Sequence, residues 1–228
     1  MLGFTSQLDW DGMLSFAMKI IAVLICIIVH EVSHGLAAYW LGDPTAKKSR
    51  RLSLNPIQHI DPFGFLMMIV AGFGWAKPVP VDARYFKKPK SGMAITAFAG
   101  PFSNFVMAFL TAMLFQAVVG MITVQGNRTI LLHLTKFLGM ILVLNIGLGL
   151  FNLIPFPPLD GSKILGIILP ERLYFTLMRY ERYGMFLLVA ILWFGILDVP
   201  LFVAREKMLH FFLNSTTFIQ NMVVSIVR

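Results

Sequence analysis

The sequence carries little charge and almost no cysteine. Only 13% of its 228 residues are Asp, Glu, Lys or Arg, against roughly 25% in a soluble domain. So few charged groups cannot cover a water-facing surface, which sets aside an ordinary soluble globule. The single cysteine, Cys26, excludes an internal disulfide and a cysteine-rich metal site. Within the apolar stretch 20–29 it reads as a small buried side chain. Acidic residues are also scarce, 11 against 19 basic ones, for a net charge of +8. The basic excess forms no continuous face for nucleic acid. It clusters in short loops between apolar runs, as in the cytoplasmic loops of membrane proteins, and no nucleic-acid partner is expected. Internal repeats and low-complexity segments are absent.

What is abundant is apolar: 57% of the residues are hydrophobic and the mean hydropathy is +0.77. A helix needs about 20 apolar residues to cross a bilayer, and the chain supplies several such runs. The first covers 13–41, about 29 residues or roughly 43 Å as helix. It is not a signal peptide: it has no basic start, it follows Asp9 and Asp11, and cleavage would discard a histidine motif. Gly42-Asp43-Pro44 ends it. Lys47, Lys48, Arg50 and Arg51 follow, so the positive-inside rule puts its C-terminal end in the cytoplasm and the N-terminus outside.

Residues 63–75 are apolar, but Gly64, Gly72 and Gly74 break them and they are too short to span. Lys77, Arg84, Lys87 and Lys88 follow, so the stretch reads as a dip that re-enters on the same side, a hairpin over 63–81. A second span is expected near 92–121 and a third from about 130. The third is interrupted at 152–161, NLIPFPPLDG, where three prolines remove amide donors and clash with a continuing helix. Helix can resume over 162–169. Arg172, Arg179 and Arg182 mark another cytoplasmic loop, 184–197 a further span, and the tail from Met208 either lies at the interface or packs as a last helix. The expected fold class is an all-α polytopic membrane protein, a bundle of about 5–6 transmembrane helices with a re-entrant β-hairpin. It forms one membrane-embedded domain over 1–228, with a core of about 13–170 and C-terminal helices of about 171–228.

His30-Glu31-Val32-Ser33-His34 is an HExxH pattern. On a helix, two histidines four apart face the same way and can grip one metal ion, with the glutamate beside them. The bland reading is a polar helix contact, but two His and a Glu are costly inside a membrane and usually functional there. A catalytic zinc takes three protein ligands and keeps one position open. The third ligand should match the histidines in depth. His34 lies roughly 10 Å and His30 roughly 16 Å before the cytoplasmic end of the first span, and Asp160 roughly 15 Å before Pro170. Asp61, Asp82, Glu171 and Glu181 sit in charged loops, Glu206 beside Arg205 and Lys207, and Asp9, Asp11 and Asp198 at span ends. His59, His133 and His210 are weaker alternatives by location. A proline-broken helix also fits, because its freed backbone groups need a wet or protein-lined cavity and hydrolysis needs water.

HEVSHG at 30–35 and NLIPFPPLDG at 152–161 resemble the two signature motifs of the site-2 protease family of intramembrane zinc metalloproteases. GWAKPVPV at 74–81 and AGPFSN at 99–104 look like its segment after a re-entrant hairpin and its third helix, and the likeness covers about 20–170. The resemblance implies one Zn2+ per chain held by His30, His34 and Asp160, and Glu31 as catalytic base. It implies Asn152 and Asn104 as substrate-binding residues, Asn152 alternatively serving as a hydrogen bond at the helix break. Many members carry a PDZ or CBS domain, for which the stretch between the first two full spans leaves no room. The implied partners are a transmembrane-helix protein substrate, membrane lipid and a regulatory membrane partner. The implied location is a prokaryotic inner or plasma membrane, with the active site toward the cytoplasm. On that analogy the Asn127-Arg128-Thr129 and Asn214-Ser215-Thr216 glycosylation patterns are coincidental. Two rivals stand beside this reading: a metal transporter using the same ligands, and a non-catalytic module that holds membrane proteins.

Overall fold

In the computed structural model, residues 10–71, 76–126 and 128–227 are described, and they are helical almost throughout. The first apolar run forms α1, Trp10–Trp40. It stops where Gly42 takes the left-handed backbone (φ 104°) and the Asp43 amide closes on the Ala38 carbonyl, a glycine-terminated helix end. Two short helices follow, α2 at Thr45–Lys48 and α3 at Pro56–His59, then α4 at Pro62–Ala71.

Helix α4 corrects the expectation of a re-entrant β-hairpin over 63–81. Its residues are helical, and among the described residues there is no strand, only one isolated bridge between Ile60 and Ala76. The cause is local: the Asp61 side chain accepts the Gly64 amide hydrogen at 2.8 Å and Pro62 opens the helix, a capped start with proline in the first turn. Residues 72–75 lie outside the described residues. The chain returns in extended form from Ala76, where the Lys77 amide bonds the His59 carbonyl and the Arg51 guanidinium bonds the Lys77 carbonyl. A 3-10 turn at Ala83–Tyr85 is capped by Asp82, whose amide reaches the fully buried Asp43 at 2.7 Å. Hydrogen bonds from Arg84 hold the Asp82 carboxyl down at about 2.

Helix α5, Pro89–Gln125, is the central element, and α1, α6 (Thr129–Asn152) and the last helix, α10 (Asp198–Val227), all pack on it. Small residues permit the approach: Ala108 and Ala112 of α5 meet Leu142 and Ile146 of α6 and Phe212 of α10 in the main core cluster. Facing outward are large apolar side chains such as Phe102, Leu114, Ile130 and Phe218, which suit lipid and not water. The proline-rich break ends α6, and α7, Asp160–Leu165, begins two residues earlier than expected. At the break a Cβ on Gly161 would lie 2.3 Å from the Ile154 carbonyl oxygen and 2.4 Å from that of Leu153. Backbone cannot rotate aside, so Gly161→Ala should displace α7 and lower stability by about 1–3 kcal/mol, read from thermal unfolding in detergent.

After α8 (Glu171–Arg179) and α9 (Glu181–Trp193), Gly195 turns the chain and α10, Asp198–Val227, leaves at 82° to α9. The tail is thus a packed helix with Phe212 and Thr216 buried. Among the described residues three helices, α1, α5 and α6, are long and apolar enough to cross a membrane, or four if the bent α9–α10 pair is one span. That is fewer than the 5–6 expected, because α9, at 13 residues, is too short to span alone and counts with α10 as at most one bent span.

Candidate metal centre

Residues far apart in sequence converge where the middle of α1 meets α5 and the start of α7. One helical turn separates His30 from His34, so both rings leave α1 on the same side. Their Nε2 atoms are 3.0 Å apart, and each lies 3.1 Å from Oδ2 of Asp160. Among the described residues this trio is the one group of three His, Cys, Asp or Glu side chains with ligand atoms close enough to share an ion. Both histidines are buried, and Asp160 is exposed by only 14% at its side chain.

The ring nitrogens facing away are already committed. His30 Nδ1 lies 2.6 Å from the Asn104 side-chain oxygen and His34 Nδ1 lies 2.7 Å from the Thr96 carbonyl. Each oxygen accepts a hydrogen, so each Nδ1 carries the proton and each Nε2 presents a lone pair. Two lone pairs and a carboxylate oxygen then meet with no hydrogen between them, an arrangement that a cation relieves. Zinc ligands at about 2.0–2.1 Å in tetrahedral geometry lie roughly 3.3 Å from one another, close to the spacing found. The donor set fits zinc.

Glu31 lines the same cavity, and its Oε2 accepts the Val79 amide hydrogen at 2.8 Å. The cavity is about 330 Å³ and is bounded by the trio, Thr96, Asn152, Pro158 and the extended segment from Pro78 to Val81. Asn152 donates to the Leu148 carbonyl at 3.1 Å, one turn back in α6, and its side chain also lines the cavity. Asn104, expected at the substrate, has no exposed surface and sits behind His30, away from the cavity. Its amide also donates to Asn145 at 2.7 Å and to the Cys26 carbonyl at 3.3 Å. His59, His133 and His210 take no part in the trio.

Three contributors were not picked out from the sequence. Thr96 and Val79 act through backbone groups that every residue possesses, which leave no residue-type signal. Asn145 did have one, as a polar side chain within an otherwise apolar helix.

A membrane-type helical bundle that presents the two histidines of an HExxH pattern, an aspartate as third candidate ligand and a glutamate in one cavity defines a metallopeptidase-like centre. The model of peptidase family M50 matches residues 18–195, and the chain belongs to that family, the site-2 proteases. It is 41% identical over 167 residues to the protein named "Putative zinc metalloprotease YwhC" of Bacillus subtilis, covering 72% of this chain and 75% of that one. It is 27% identical over 185 residues to "Putative zinc metalloprotease Rip2" of Mycolicibacterium smegmatis, covering 78% of this chain and 67% of that one. No solved structure gives a significant match. The family resemblance read from the sequence is borne out. The chain is a multi-pass membrane protein of a metalloprotease family whose cofactor is Zn2+.

Proposed function

We propose that this chain is an intramembrane zinc metalloendopeptidase that cleaves transmembrane segments of membrane proteins near the cytoplasmic side. His30, His34 and Asp160 are the zinc ligands, Glu31 is the catalytic base and one domain carries the whole site. The observation that supports this most is the meeting of three proton-free acceptor atoms, 3.0–3.1 Å apart, beside a glutamate in one cavity. When bound, zinc supplies a Lewis acid that polarises a carbonyl and makes water acidic near neutral pH. Glu31 takes a proton from the attacking water and returns it to the leaving amine, so that water and a peptide bond become a carboxylic acid and an amine. The Val79 amide keeps its carboxylate aimed into the cavity.

A scissile bond in a helix is shielded by its own hydrogen bonds and must be unwound first. The segment from Pro78 to Val81 is suited to hold the unwound strand. Pro78 and Pro80 have no amide hydrogen and Val79 gives its own to Glu31, so this edge offers carbonyls to the amides that unwinding frees. Helix-breaking residues near the cut are therefore expected in substrates, and Asn152 is placed to contact them. The cytoplasmic orientation is supported by Lys47, Lys48, Arg50, Arg51, Lys77 and Arg84, all in segments that follow the C-terminal end of α1. A prokaryotic plasma membrane agrees with the sources of both relatives.

A metal transporter needs no base beside its ligands, and a binding module needs no ligand set. The test is cleavage of a single-span substrate in vesicles. Chelation should stop it and added zinc restore it; cleavage that persists with zinc stripped would sink the reading. Asp160→Asn should weaken zinc binding by more than the roughly 10–100-fold typical of losing an outer hydrogen-bond partner, measured by competition with a chelator.

A further inference from the structure

The two histidines are aimed by different means. His34 is held by the Thr96 backbone carbonyl, which can only accept. His30 is held by Asn104, whose amide has an accepting end and a donating end of nearly the same shape. Were that amide reversed, its NH2 would donate to His30 Nδ1. The ring proton would then sit on Nε2, where the lone pair for a metal is needed.

What prevents reversal is a second asparagine on another helix. Asn145 is fully buried on α6, and its Oδ1 lies 2.7 Å from Asn104 Nδ2. Its own orientation is fixed in turn, because its Nδ2 donates to the Ile141 carbonyl at 3.0 Å and to Cys26 Sγ at 3.1 Å. Turning Asn145 over would set carbonyl against carbonyl at Ile141 and NH2 against NH2 at Asn104. The donations therefore run in one direction, from His30 to Asn104 to Asn145 to the Ile141 carbonyl, across α1, α5 and α6. The Cys26 carbonyl, at 3.3 Å from Asn104 Nδ2, is a longer and weaker restraint.

We propose that Asn145 is a positioning residue for the metal centre: by fixing the orientation of the Asn104 amide it keeps the proton of His30 on Nδ1 and the lone pair on Nε2. Asn145 is neither one of the trio nor a residue that lines the cavity. The proposal rests on His30 being a zinc ligand and explains why an apolar membrane helix carries a buried amide at this place. An unsatisfied amide there would be costly, and a satisfied network specifies one arrangement.

The experiment uses the full chain purified in detergent, with zinc affinity measured by chelator competition. Asn145→Leu, of similar size and apolar, should weaken zinc binding roughly 10–100-fold. In an Asn104→Leu background the same change should cost less than about twofold, because the relay is already cut; a merely structural role gives losses that multiply. Thr216→Val, equally buried but on α10 and outside the relay, should leave affinity unchanged. An Asn145→Leu affinity equal to wild type, or losses that multiply in the double variant, overturns the proposal. Should the variants fail to fold, the wild-type protein without metal decides. Its His30 ring 15N shifts should report the proton on Nδ1, and a proton on Nε2 overturns the proposal. A wild type that takes up no zinc instead refutes the ligand role of His30 itself, before any variant is made.

Discussion

Replacing Glu31 by Gln should leave zinc in place and lower cleavage by roughly 100- to 10,000-fold, the usual contribution of a positioned proton acceptor. Glutamine has nearly the same shape, and its side-chain oxygen can still accept the Val79 amide hydrogen that Glu31 accepts at 2.8 Å. The cavity and the segment over it are therefore unaltered. What is lost is the capacity to take a proton from water and pass it to the leaving amine. Glu31 is not one of the three converging atoms, so zinc content should remain near wild type. Measuring both quantities on one preparation gives the result its meaning. A fall in zinc together with activity would make Glu31 a structural support of the site, and unchanged activity would remove it from the chemistry.

The second large effect is expected at Gly100. A Cβ there would lie 2.4 Å from His34 Cε1, 2.5 Å from His34 Nε2 and 2.6 Å from His30 Cε1. The rings cannot retreat freely, because Asn104 and Thr96 hold them from behind. Either the hydrogen bonds that aim the ligands break or α5 moves outward along its packed faces. Gly100→Ala should therefore reduce zinc affinity on the order of 100-fold or more, a loss at least as large as that of an outer hydrogen-bond partner. It should also destabilise the bundle by about 1–3 kcal/mol, as overpacking does. Gly147→Ala is the matched control. It too lies in a membrane helix, but nothing stands within 4 Å of its added Cβ, and both zinc affinity and stability should hold. Equal behaviour of the two variants would mean that close approach of α5 to the histidines is not required.

Much of the site was legible because its chemistry depends on residue type. Histidines four apart on a membrane helix announce a ligand pair, and depth alone paired Asp160 with them across 126 residues of chain. The helix break at 152–161 was legible because proline cannot continue a helix. The long spans α1, α5 and α6 followed from apolar length, with ends within a few residues of those expected. Helix α4 was misread as part of a β-hairpin, because its glycines and shortness outweighed the Asp61-Pro62 start signal that fixes it as helix. The substrate role of Asn104 came with the family resemblance, whereas its side chain is fully buried beside His30 and outside the cavity lining. The contacts of Thr96 and Val79 are made by backbone, and only the three-dimensional arrangement reveals them.

The measurement that bears most directly on intramembrane zinc proteolysis is the position of the cut. A single-span substrate with helix-breaking residues is reconstituted with the wild-type protein in vesicles, and the fragment ends are read by mass spectrometry. New termini are expected inside the hydrophobic segment, displaced toward its cytoplasmic end, and none with Glu31→Gln. Termini confined to the water-exposed flanks, or the same termini with Glu31→Gln, would contradict it.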